Sequence, residues 1–117
     1  FQIVDDALDF APQSVTGKPS GGDVREGKLT PPLRMYRDSL DDAARAAFDQ
    51  AFNDASFTDG DAERIADNIR AAGFDQATRM AAEGYLDKAR AALASLPSGP
   101  EQDILQQMAD YVRDRKK

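Results

Sequence analysis

Apolar residues in this 117-residue chain recur at every third or fourth position over most of its length, and nowhere alternate with polar ones as a strand requires. A repeat near 3.6 buries one face of a helix, whereas a half-buried strand needs a repeat of two. The chain is therefore expected to be all-α. After Pro32 the pattern predicts four or five helical pieces, beginning with a short one over residues 33–37. Ser39 is expected to cap the next, with Asp42 in a capping-box position and an inward stripe of Ala43, Ala47, Phe48, Ala51 and Phe52. Thr58 caps another, carrying Ile65, Ala66 and Ile69 and stopped by Gly73. A long helix over residues 75–96 would turn Ala77, Ala81, Gly84, Ala89, Ala92 and Leu96 inward. Ser98-Gly99-Pro100-Glu101 reads as a capping box opening a last helix, with Ile104, Leu105, Met108 and Val112 inward. The basic Arg113, Arg115, Lys116 and Lys117 would sit at the favourable end of its dipole.

The core available to these helices is thin. Leu, Ile, Val and Phe make up 22 of 117 residues, and 20 alanines supply most of the remaining apolar content. Alanine lets helices approach closely but buries little area. The chain is thus expected to bury surface against further polypeptide. A net charge of −6 argues against nucleic-acid binding, which needs clustered Lys and Arg. No apolar run approaches the ~18 residues of a transmembrane span, and a cytoplasmic location is expected. The chain has no Cys and no His, which excludes thiolate or imidazole metal sites and His-assisted nucleophiles from these residues. Any metal they hold must be a hard, oxygen-seeking cation such as Mg²⁺.

The acids are concentrated in an awkward place. In Phe1-Gln2-Ile3-Val4-Asp5-Asp6-Ala7-Leu8-Asp9-Phe10 a helix puts Asp5 and Asp9 one turn apart, with Asp6 beside them. Like charges at that spacing repel, and with Pro12 close behind they fall near a helix C-terminus, where the dipole disfavours them too. A divalent cation would reverse the sign of these terms; a solvated acidic face is the structural alternative. The chain opens with the apolar pattern Phe1, Val4, Leu8 already running and no capping residue before it, so it is expected to be the C-terminal part of something longer. Between residues 11 and 32 the periodicity stops and Gly and Pro dominate, with Lys18, Arg25 and Lys28 interspersed. Flexible backbone with spaced cations suits a phosphate-bearing ligand.

The ordered set Phe1-Gln2-x-x-Asp5-Asp6-x-x-Asp9, Gly17-Lys18-x-x-Gly21-x-Asp23 and Glu26-Gly27-Lys28-x-Thr30-x-Pro32 resembles the trans-isoprenyl diphosphate synthases, or polyprenyl synthetases, at their second aspartate-rich motif. The one visible departure is Pro31, where that family usually has an aliphatic residue. The resemblance implies that residues 1–117 are the C-terminal half of the isoprenoid synthase fold, antiparallel helices around a central cavity. Within it, residues 1–11 would be the aspartate-rich helix, 12–32 the Gly/Lys substrate loop and 33–117 the remaining helices. It implies a Mg²⁺-dependent condensation of isopentenyl diphosphate with an allylic diphosphate, in a parent that is a homodimer. Asp5 would ligate Mg²⁺ directly, and Asp6 and Asp9 would act on the same ion through its waters. Lys18 and Lys28 would hold the allylic diphosphate, Gln2 would approach the allylic substrate, and Phe1 would line the cavity. Asp23 and Arg25 would order the loop.

The first aspartate-rich motif of that family and its isopentenyl diphosphate site are not in these residues, so the chain alone is expected to be inactive. A non-catalytic subunit or a terpene synthase on the same fold is the alternative, and a purely structural acidic helical domain is a further one.

Overall fold

The computed structural model describes residues 1–115, and among them the only regular structure is helical. In chain order the helices are α1 (Gln2–Leu8), α2 (Gln13–Thr16), α3 (Gly22–Glu26), α4 (Pro31–Ser39), α5 (Asp42–Asn53), α6 (Asp59–Ala72), α7 (Phe74–Ala94) and α8 (Pro100–Asp114). Lys116 and Lys117, expected at the end of the last helix, lie outside the described residues.

The main core lies where α4, α5 and α6 meet the segment after α1. Phe10, Leu33, Ile65 and Ile69 are fully buried there, with Val24, Tyr36 and Phe48 closing the cluster. Phe48 carries three aromatic partners: Tyr36 edge-on, Phe52 stacked and Phe57 tilted, all with ring centroids within 5.9 Å. The stripe expected on α6 is therefore the buried one. On α5 only Phe48 is fully buried; Ala51 and Phe52 are half-buried, and Ala43 and Ala47 face solvent. A second, smaller cluster joins Val4 and Leu8 of α1 to Ala82 of α7, flanked by Ile3 and Val112. Helix α7 is the common support, packing against α1, α4, α6 and α8.

Three sequence expectations change, each for a local reason. Residues 11–32 are not a plain loop, since α2 and α3 form within them. Asp41, not Ser39, caps α5, its Oδ1 accepting from the Ala44 amide at 2.7 Å, while the Ser39 hydroxyl donates back to the Tyr36 carbonyl at 2.6 Å. Asp and Ser are equally good caps, and the nearer one wins. The last helix starts at Pro100 with Gly99 as its N-cap and no side-chain cap, because Pro is preset for a first helical position.

The faces of α7 and α8 differ more deeply. On α7 the buried positions are Thr78 and Ala82, and none of the six residues expected inward is buried. On α8 only Ala109 is buried; Ile104, Leu105 and Met108 are exposed and Val112 is half-buried. Apart from Ala109 and Val112, the seam between them is polar. Gln102 Nε2 donates to the Leu93 and Leu96 carbonyls at the end of α7, at 2.8 and 3.3 Å. At the other end Arg79 of α7 donates to the carbonyl of Arg113, at 3.2 Å, and to that of Arg115. Arg90 and Asp110 form an ion pair between them. The two helices thus run antiparallel, fastened through helix-end carbonyls and charges, and this turns the apolar stripe of α8 outward.

The resulting shape is elongated, 55 × 29 × 23 Å with a radius of gyration of 16.9 Å. A compact globule of this length would have about 13 Å. The phase of α8 is directly testable by unfolding in denaturant. Ile69→Ala, in the core, should lower stability by about 2–5 kcal/mol. Ile104→Ala should stay within about 0.5 kcal/mol, and an equal loss at both sites would show that α8 is turned the other way.

Candidate functional site

Helix α1 buries Val4, Ala7 and Leu8, and the helical repeat then fixes where its acids go. Asp5 lies on the outer face, its side chain 49% exposed. Asp6 falls on the inner side, buried, with its Oδ1 accepting from Gln2 Nε2 at 2.8 Å. Asp9 is the residue that ends the helix, and it faces the start of α3.

That junction is tightly made. The Gly21 amide donates to the Asp9 carbonyl and the Asp23 amide to Asp9 Oδ2, both at 2.9 Å. Gly21 has φ +81°, and a Cβ on it would meet the Ala62 carbonyl oxygen of α6 at 2.8 Å. A Cβ on Gly22 would meet Asp9 Oδ1 at 2.9 Å. The Gly-Gly pair therefore permits two close approaches as well as turning freely. Arg25 pairs with Asp59 of α6 at 2.8 Å.

Folding the segment this way brings Asp5, Asp9 and Lys18 to one cavity of about 370 Å³, with Thr16, Pro19, Leu8, Asp23 and Arg115. A larger cavity, about 770 Å³, lies between α1, α7 and α8 and holds none of the motif's acids or lysines. Of the other expected site residues, Gln2 and Asp6 are bonded to each other outside this lining. Phe1 is 67% exposed, with the Arg115 guanidinium 4.4 Å from its ring centroid. Lys28 is exposed beside Glu26 at 3.6 Å. Arg115 is the residue that sequence reasoning placed elsewhere. Its Nη1 is 3.2 Å from Asp5 Oδ1 at the opposite end of the chain, and its only signal in the sequence is its charge near the end of the last helix.

The cavity is short of positive charge. Burial raises the Asp9 carboxyl above its ordinary value, with Glu26 adding to the rise and the Asp23 and Gly22 amides partly offsetting it. Asp23 is pushed up to about 6, first by burial and then by the charge of Asp9, with Lys28 pulling the other way. All the carboxylate donors are hard oxygens, suited to a small divalent cation. Among the described residues no three of them converge closely enough to form a cage. A cation of that kind commonly takes only one or two carboxylates, completing its shell with water and ligand oxygens, so the donor set fits.

The raised Asp23 has a measurable consequence for folding. Between about 4, its ordinary value, and about 6 the folded chain retains a proton that the unfolded chain releases. Its contribution to stability is therefore greatest below that window, falls as pH rises through it, and is flat above. Asp23→Asn should remove this dependence, so that the variant gains on the parent sequence from pH 4 to 6 in pH-dependent denaturation curves. Parallel curves for the two proteins would show that Asp23 titrates normally.

Comparison with known proteins gives this site a context. The Polyprenyl synthetase family model matches residues 1–69, more than half of the chain. A decaprenyl diphosphate synthase from Rhodobacter capsulatus superposes with a TM-score of 0.84 at 41% identity, covering 99% of this chain and 36% of that one. A polyprenyl synthase from Caulobacter crescentus CB15, solved with calcium and isoprenyl diphosphate, gives 0.81 at 34% identity, with coverage of 99% and 36%. Heptaprenyl diphosphate synthase component 2 of Bacillus subtilis (strain 168) is 33% identical over 117 residues, 99% of this chain and 32% of that protein. The chain spans about a third of the length of these relatives. With the acidic helix and the Gly-Lys segment both inside the matched residues, and an all-α fold that superposes on polyprenyl synthases, the chain belongs to the polyprenyl synthetase family.

Proposed function

We propose that this chain supplies one face of the active site of a trans-prenyltransferase. The parent protein would condense isopentenyl diphosphate with an allylic diphosphate to give a polyprenyl diphosphate, with Mg²⁺ as cofactor. The observation that carries this reading is the single cavity at which Asp5, Asp9 and Lys18 meet, with Asp23 on the same lining.

In this reading Asp5, the most open of the motif acids, holds the cation directly and Asp9 engages it through bound water, while Asp6, outside the lining, would act on it only through further water. When bound, Mg²⁺ would neutralise the charge that builds on the departing diphosphate of the allylic substrate. Lys18 binds that diphosphate as a point charge on a flexible stem. Among the described residues no carboxylate pairs with it, which leaves it available. Lys28 is a second phosphate contact; its exposed pairing with Glu26 is weak enough to give way. Gln2 fixes the orientation of Asp6 through its 2.8 Å hydrogen bond. Phe1 contributes an apolar wall next to the site, where exclusion of water protects the cationic intermediate of the prenyl chain.

The test belongs to the whole parent protein. Incorporation of isopentenyl diphosphate into polyprenyl product should require Mg²⁺ and be absent with the 117-residue chain alone. Asp5→Asn should lower kcat by roughly 10²–10³-fold, the scale of losing one charge-stabilising group at a reacting centre. Lys18→Ala should raise KM for the allylic diphosphate. Full activity in the Asp5→Asn protein would end this reading, and a parent silent under all conditions would identify a non-catalytic subunit.

A further inference from the structure

We propose that Arg115 is an exchangeable counter-ion for Asp5, holding the place of the divalent cation at that carboxylate in the metal-free protein and leaving it when the cation binds. The proposal rests on the reading of Asp5 as a metal ligand and goes beyond it, because it assigns a role to the end of the last helix.

The placement of Arg115 is built by several contacts. Its backbone carbonyl accepts from Arg79 of α7, which also bonds the Arg113 carbonyl, so the end of α8 is pinned beside the start of α7. From there the side chain crosses the Phe1 ring, with the guanidinium 4.4 Å from its centroid, to bring Nη1 within 3.2 Å of Asp5 Oδ1. Arg115 is much the less exposed of the two, at 18% against 49% for Asp5. It lines the same cavity as Lys18, Asp9 and Asp23.

The energetics favour exchange over a permanent clasp. An ion pair with one half-exposed member contributes little to stability, and solvent and salt screen it. A divalent cation brings twice the charge to the same oxygen, where Asp9 and Asp23 add to the negative field. The contact with Phe1 gives the displaced guanidinium a second resting partner, so leaving Asp5 does not strand a buried charge. A merely structural clasp predicts instead that cation binding and Arg115 are independent.

Calorimetric titration of the intact protein with MgCl₂ alone separates the two. Arg115→Gln should bind Mg²⁺ about two- to fivefold more tightly, the range set by a partly exposed ion pair. Arg115→Lys, which restores the competing charge, should return the affinity towards that of the parent sequence. Asp5→Asn should weaken binding, and combining it with Arg115→Gln should give the same affinity as Asp5→Asn alone. In the unsubstituted protein, added MgCl₂ should speed modification of Arg115 by phenylglyoxal, mapped by mass spectrometry, a readout that needs no substitution. Unchanged or weaker binding in Arg115→Gln, or a modification rate indifferent to MgCl₂, would overturn the proposal while leaving Asp5 as a ligand. Binding that ignores Asp5→Asn would overturn both.

Discussion

The carboxylate of Asp9, held at the start of α3, is the contact on which the site depends. An acid at the end of α1 is unfavourable for that helix, since its carbonyls already point the same negative charge outward. Asp9 instead faces the first amides of α3, and its Oδ2 accepts from Asp23 at 2.9 Å while its own carbonyl accepts from Gly21. Hydrogen bonds of amides to a carboxylate are among the stronger ones available. The acid that looks misplaced for α1 is well placed for its neighbour. Through it the Gly-rich segment becomes a short helix that drops Val24 into the core and brings Asp23 to the cavity.

Other contacts seal the same junction from behind. Arg70 Nη1 of α6 donates to the Phe10 carbonyl at 2.5 Å and to the Ser20 hydroxyl at 3.3 Å, and Ser20 in turn donates to the Ala11 carbonyl at 2.6 Å. Phe10 is fully buried beneath them. The core and the site are thus not separate modules. A substitution that unseats Phe10 would also loosen the turn that presents Lys18 and Asp23.

How much of this was legible in the sequence follows from how strongly each residue commits to a face. Ile65, Ile69 and Phe48 can sit comfortably only inside, and those three are buried as expected. Thr58 as the cap of α6 was equally legible because a cap bonds locally; that Asp61 returns the bond is what the structure adds. Alanine commits to neither side, so the rotation of α7 could not be read from Ala77, Ala81, Ala89 and Ala92. It is set by Thr78 and Ala82 against α1 and its neighbours. For α8 the apolar stripe was a misleading guide, since Gln102, Arg79 and the Arg90–Asp110 pair determine the inner face. Motif spacing singles out Asp5, Asp9 and Lys18, which share one cavity, whereas Arg115 joins that cavity only through tertiary structure.

The acids of α1 differ in how firmly each is partnered. Asp6 is buried and bonded to Gln2, Asp9 is committed to backbone amides, and Asp5 alone faces outward, beside the guanidinium of Arg115. Three carboxylates on one short helix cannot all be left without partners, yet a fully neutralised set would have nothing to offer a ligand. Giving two of them fixed, hydrogen-bonded roles and the third a weak, screened ion pair satisfies both demands. The rise of Asp23 to about 6 is in keeping with this balance, since a half-buried carboxyl beside Asp9 already holds its proton more tightly than usual. Under the proposed function, a divalent cation entering the cavity would act on Asp5, Asp9 and Asp23 at once, and the most open carboxylate is where it would have least to displace.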